Sequence, residues 1–210
     1  MKNKVYNVDM KEIRQPQQER STEKKNKIIL AAYEVFSEIG YYSANTAEIA
    51  KRAGVSTGIV YSYFSDKKDI LLYVLNIYTD KVATPIEEII DGISMPVDYT
   101  KLVSKLVDKT IEIHRDNAHL HNALHALATA DDDVNAEFIK LENTVTDKIV
   151  RKLSSFNEDI PSLKERAHLA MNLVQSFAHE AVFDMHDYLD YQNMQKIVIE
   201  TVVSLFKPEQ

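Results

Sequence analysis

Cysteine is absent from the 210 residues, so no disulfide framework can staple this chain, which fits a reducing compartment. Glycine and proline are scarce, with four and five residues. Three of the glycines, Gly40, Gly54 and Gly58, fall within the first 58 positions, so the remainder has few turn formers. No apolar run approaches 18 residues, and even 169–178 is broken by Asn172 and Gln175. A membrane span is therefore not expected, nor is a signal peptide, and the location expected is cytoplasmic. Period-two runs of Val, Ile and Thr are missing, which leaves an all-α fold. Gly-rich phosphate loops, nucleophile elbows and His-Glu-x-x-His patterns are also missing, so the common catalytic signatures do not apply.

What is present is concentrated in residues 45–69. Asn45 followed by Glu48 is a capping-box pattern that starts a helix at Thr46, and Ile49 and Ala50 supply its buried side. Ala53-Gly54-Val55 is a tight turn, with Gly54 suited to the left-handed conformation. Ser56 caps a second, two-turn helix running to about Phe64, with Val60 and Phe64 inward on one stripe. The outward residues are then Thr57, Gly58, Ile59, Tyr61, Ser62 and Tyr63, a face without acidic groups. Two such helices form a helix-turn-helix, whose second helix fits the major groove of double-stranded DNA; an ordinary αα-corner is the plain alternative. Thr46, Tyr61 and Tyr63 can donate to phosphate oxygens, and Lys67 adds a charge at the next helix start, where Ser65 is the expected cap. Thr57 and Ile59 are the candidates for base edges.

Charge is split along the chain. The net −7 resolves into +4 over residues 1–68 and −11 over residues 69–210. A basic end facing phosphate and an acidic body facing away is the orientation this asymmetry favours. The expected organisation is a polar extension over 1–20, a helix-turn-helix domain over 21–68 and a larger helical domain over 69–210. The extension carries Lys2, Lys4, Lys11, Arg14 and Arg20, with Pro16 as a breaker, and reads either as a mobile tail or as an arm on DNA. A first helix is expected over about 22–39, with Ile28, Ala32, Val35 and Phe36 buried. A long helix from about 66 should be interrupted at Pro85 and resume at an angle. Later helices are expected at about 98–115, 117–129, 132–156, 161–187 and 190–206. The last two are rich in apolar and small residues on more than one side. They are either deeply buried or shared with a second copy of the chain.

Histidine is absent from the first 113 residues; the seven are His114, His119, His121, His125, His168, His179 and His186. His121 and His125, four apart, share a helix face, a spacing open to metal or haem, to a cavity wall, or to plain polar surface. A metal hydrolase using His121, His125, His179 and Glu180 is the enzymatic reading; no metal or other cofactor is expected and the chain is not read as an enzyme.

From 28 to 72 the chain resembles the DNA-binding domain of the TetR family of bacterial transcription regulators. The resemblance rests on Ile28, Ala31, Ala32, Phe36, Gly40-Tyr41, Ile49-Ala50, Ala53-Gly54-Val55-Ser56, Gly58, Tyr61, Tyr63-Phe64, Lys67 and Leu71-Leu72. It departs at Ala44-Asn45 and Thr46, where the family has Thr or Ser pairs and an aliphatic residue, and at Asp69 in place of Glu. The resemblance implies an N-terminal three-helix helix-turn-helix domain followed by a ligand-binding and dimerisation domain. DNA contacts are then expected from Thr46, Ser56, Thr57, Gly58, Ile59, Tyr61, Tyr63 and Lys67. It further implies a homodimer through the helices at about 161–187 and 190–206, hence a palindromic operator. A small-molecule effector is expected in a cavity whose candidate lining is Leu106, Thr110, His114, His121, His125, Phe177, His179 and Phe183. The function so implied is a ligand-controlled repressor, released from DNA by its effector. A DNA-bound protein of the same fold acting through a protein partner is the alternative, and lack of an internal cavity would favour it.

Overall fold

The computed structural model describes residues 10–156 and 159–206. Among these residues the chain is all-helical, in the order α1 (Met10–Ile39), α2 (Thr46–Ala53), α3 (Thr57–Tyr63), α4 (Lys67–Asp91), α5 (Tyr99–Asp116), α6 (Ala118–Ala128), α7 (Asp132–Ser154), α8 (Leu163–Phe183) and α9 (Tyr191–Ser204). It divides into two compact units, one up to Val74 and one from Leu75. The division falls inside α4 rather than at 68/69, because Ile70, Leu71 and Val74 in its first turns are fully buried.

In the first unit, Ile28, Ala32, Val35 and Phe36 form the buried stripe of α1, and Gly40, at φ 79°, ends it. The helix begins at Met10, not near Thr22, so the expected extension is helical from residue 10 onward; residues 1–9 of it lie outside the described residues. The straight-chain run Gln17-Gln18-Glu19-Arg20 favours helix, and Pro16 removes only one backbone bond near the helix start. The α2 cap is the reciprocal one: Asn45 Oδ1 accepts from the amides of Ala47 and Glu48 at 3.1 and 3.0 Å, while Glu48 Oε2 accepts from the Asn45 amide at 3.2 Å. Gly54 closes α2 at φ 67°, where a Cβ would be strained, and the Val55 amide reaches back to the Ala50 carbonyl at 3.0 Å. At α4 the cap is Asp66, whose Oδ1 accepts from the Asp69 amide at 2.8 Å. Ser65 instead donates its amide to Asp69 Oδ2 at 3.0 Å, since a carboxylate is the stronger acceptor.

The second unit is a helical body. Helix α4 passes through Pro85 as one element, so the expected interruption there does not occur; Thr84 Oγ1 donates to the Asp80 carbonyl at 2.8 Å beside the missing amide. Asp98, Asp131 and Asp190 cap α5, α7 and α9. One core joins α5, α7, α8 and α9 through Val107, Leu153, Ala170, Phe177, Val203 and Phe206, and Tyr99 stacks on Phe206 at 5.7 Å. Helix α8 ends at Phe183, short of the expected 187, where a turn rich in Asp184, Asp187 and Asp190 takes over. Its Ala170, Met171, Val174, Phe177 and Ala178 are buried, whereas Leu169 is 50% exposed; on α9, Ile197 is 53% exposed. Among the described residues no helix is long and apolar enough to cross a membrane.

Candidate functional site

Helix α3 has seven residues, too few to be stable alone, so packing must hold it in place. Val60 and Phe64 do so at 0% and 2% exposure. Two hydroxyl pairs add lateral ties: Tyr61 to Thr46 of α2 at 3.0 Å, and Tyr63 to Ser21 of α1 at 3.1 Å. In each pair one hydroxyl uses its proton on the other, leaving a second O–H free to donate to an incoming phosphate. Ser21 was not among the expected residues, and a partner 42 positions away leaves no spacing signal in the sequence.

Several expected DNA contacts sit differently from expectation. Ile59 is half-buried rather than exposed, as is Thr57. Ser56 spends its Oγ on the Ile59 amide at 3.4 Å, so it acts on this face as a cap. Lys67 is engaged within the first unit. Its Nζ lies 2.7 Å from the Tyr41 carbonyl, 2.9 Å from that of Ala44 and 4.4 Å from the centre of the Tyr41 ring. Burial pushes its ammonium below the usual lysine range. The charge closes the loop between α1 and α2.

Gly58 is exposed, with an ordinary helical φ, and a Cβ built on it would meet only Ser56 Oγ, at 4.0 Å. Nothing inside the fold demands glycine there, although glycine costs a helix about 1 kcal/mol against alanine.

The second unit contains a partly open cavity of about 750 Å³, well within the range of small-molecule sites. Its walls come from all six helices: Tyr78, Ile86 and Ile90 of α4, Leu102, Leu106, Thr110 and His114 of α5, His121 and His125 of α6, Phe138, Leu141 and Ile149 of α7, Met171, Val174 and His179 of α8, and Val202 of α9. Leu141 and Ile149 of α7 are only half-buried because they border this space. Six of the eight expected lining residues are there: Leu106, Thr110, His114, His121, His125 and His179. Phe177 is instead packed in the core, at 5% exposure. Phe183 stands behind the wall, stacked on His121 at 5.4 Å and 8°.

Four imidazoles meet at one end. His121 lies 4.2 Å from His114 and 4.2 Å from His125, centre to centre, and 5.6 Å from His179. Its Nδ1 bonds Tyr78 Oη at 2.5 Å, and its Nε2 is buried without a hydrogen-bond partner. His114 Nδ1 is 2.8 Å from the Thr110 carbonyl, which can only accept, so Nδ1 carries the proton and Nε2 is an acceptor. Burial and then the neighbouring imidazoles push His121 down to about 2. Burial also holds His114 below its usual value, against the opposing bond to Thr110, and it moves His125, which keeps an accessible face, in the same direction. The three rings are therefore neutral near pH 7. Among the described residues no three His, Asp or Glu are arranged to hold a metal ion.

A capped two-helix corner with an acid-free second helix is the geometry of a helix-turn-helix motif. Residues 28–74 match the family model for bacterial regulatory proteins of the tetR family. It is 37% identical over 106 residues to the HTH-type transcriptional regulator HbdR of Aromatoleum sp. (strain CIB), covering 47% of this chain and 46% of that protein. It is 34% identical over 82 residues to the fatty acid metabolism regulator protein of Bacillus subtilis (strain 168), covering 39% of this chain and 41% of that protein. The matches thus span less than half the length of these curated relatives. Among solved structures, one from Mesorhizobium loti MAFF303099, described as a TetR-family transcriptional regulator, superposes with a TM-score of 0.71 at 20% identity, over 89% of this chain and 96% of that one. The fatty acid degradation regulator FadR of Bacillus halodurans gives 0.59 at 20% identity, over 86% and 94%. These proteins are regulators, not enzymes.

Two substitutions separate DNA contact from folding. Gly58→Ala is expected to raise stability to unfolding by up to about 1 kcal/mol while weakening DNA binding; unchanged DNA affinity in a binding titration would remove Gly58 from the interface. Lys67→Met should cost roughly 1–3 kcal/mol in urea unfolding by orphaning two carbonyls. DNA affinity should change little under conditions where the variant is folded. A stable variant with lost affinity would restore Lys67 as a phosphate contact.

Proposed function

We propose that this chain is a ligand-responsive transcriptional repressor that binds a palindromic operator as a homodimer and leaves it when a small molecule occupies the cavity. The observation that carries the DNA half of this reading is Gly58: a helix-weakening residue, on an acid-free face, with no internal reason to be glycine. Thr46, Thr57, Tyr61 and Tyr63 surround it, and the basic balance of residues 1–68 supports the same side as the DNA face. A charge of +4 is modest, so affinity rests on two copies acting together.

The effector half rests on the 750 Å³ cavity and its polar end. That cavity favours a small-molecule effector over the alternative of a partner-recruiting protein without one. The names of two similar proteins, regulators of fatty acid metabolism and degradation, add a lipid-derived molecule as the class to test first. For the dimer, the support is the exposed apolar pair Leu169 on α8 and Ile197 on α9. The effector would act by favouring one arrangement of the dimer, and moving such an equilibrium needs only a few kcal/mol of differential affinity.

DNA selected from a random pool by the full chain should contain inverted repeats about one helical turn, or a small multiple, apart. A Leu169→Glu/Ile197→Glu variant should sediment as a folded monomer and bind that DNA roughly a hundredfold more weakly. A wild-type monomer, or selected sites without symmetry, contradicts the proposal.

A further inference from the structure

The cavity is long and one-ended in its chemistry. Its lining on α5 runs from Tyr99 to His114 and on α7 from Phe138 to Leu153, each about 22 Å of helix. A long space lined mainly by apolar side chains along its length suits an unbranched apolar chain. The end near Ile90, Val103, Leu153, Val202 and Phe206 is apolar, while the imidazoles gather at the other. Among the described residues no lysine or arginine lines the space, so a phosphate or other doubly charged head has no counter-charge.

The head that fits can be narrowed further. His114 Nε2 is an acceptor, and His121 Nε2 is an unpartnered polar atom on a side chain only 2% exposed. The groups that face this end are Tyr78 from α4, His114 from α5, His121 and His125 from α6, Glu142 from α7, and His179, Glu180 and Asp184 from α8, with His186 in the turn beyond. Glu180 accepts from Tyr191 Oη at 3.2 Å, and Asp184 sits 3.5 Å from His179 Nδ1. Glu180 and Asp184 are already engaged by Tyr191 and His179. The rings gathered at this end are imidazoles, which can gain only positive charge, so they attract an anionic head and repel a cationic one. A carboxylate that arrives with one proton supplies its own balance, because the proton rests on an imidazole Nε2 and is donated to the carboxylate oxygen.

We propose that the histidine end of the cavity is a head-group subsite for a long-chain monocarboxylic acid, which binds with uptake of one proton. The assignment rests on the effector reading above and names the chemistry of its ligand. No bond is made or broken beyond the proton transfer: a carboxylate and a solvent proton enter, and an imidazolium–carboxylate pair results.

Calorimetric titration of the full chain with tetradecanoic acid, in buffers of different ionisation enthalpy, tests this directly. Uptake of about one proton per acid is expected near pH 7, and affinity should fall roughly tenfold per pH unit above that. Tetradecanol should bind without proton uptake, and tetradecylamine should bind more weakly than either. The His121→Gln and His114→Gln variants should lose the acid's advantage over the alcohol by at least about tenfold, the scale of one charge-assisted hydrogen bond. Acid binding with no proton uptake, no binding of the acid at all, or an amine that binds as tightly as the acid overturns the assignment. Proton-linked binding that leaves affinity for the selected DNA unchanged supports the subsite and overturns the effector reading. Release of DNA by the alcohol alone, with no proton taken up, does the reverse.

Discussion

A seven-residue helix cannot hold its own shape, and the face proposed to meet DNA depends on how α3 is fixed to its neighbours. The left-handed turn at Gly54 sets the direction in which the chain leaves α2. Val60 and Phe64 then pin the inner side of α3 to the core, and the Thr46–Tyr61 and Ser21–Tyr63 pairs steady its flanks. With packing confined to one side, the opposite side stays open around Gly58. The bidentate contact of Arg52 with Glu38, and its bond to Glu34, tie α2 to α1 on the exterior, where ion pairs contribute little. The corner is therefore held by backbone geometry and apolar burial, and these do not weaken when a polyanion approaches.

The parts legible in the sequence were those encoded locally. Caps at Asn45 and Ser56, the Gly54 turn and the buried stripe of α1 are short-range patterns, and they mark the helices correctly even where an end shifts. The misplaced details have non-local causes. The bonds of Lys67 to the loop carbonyls of Tyr41 and Ala44, more than twenty positions away, have no local mark. Ser21 has no local mark at all. Pro85 reads as a break, yet the surrounding α4 is long enough to absorb one missing hydrogen bond.

The cavity shows the same division. His121 and His125 share a face by spacing alone, and that much was visible. Their meeting with His114 and His179 needs three helices in register, and so does the emptiness between them. Leu141, Val145 and Ile149 form a stripe that reads as core; the sequence carries no sign that the core is hollow. Phe177, by contrast, was assigned to the wall and belongs to the packed interior, since its face of α8 meets α5 and α9. Keeping neutral imidazoles buried disfavours their charging on acidification, so the arrangement opposes stability at low pH and invites a function for it.

The claim on which everything turns is that the open side of α3 meets duplex DNA. Hydrogen–deuterium exchange of the full chain, with and without its selected duplex, measures this residue by residue. The account expects new protection centred on Thr57–Tyr63 and the first turn of α2, with the body from Leu75 onward little changed in the absence of a ligand. Protection confined to the second unit, with the α3 amides exchanging as in the free protein, would contradict it.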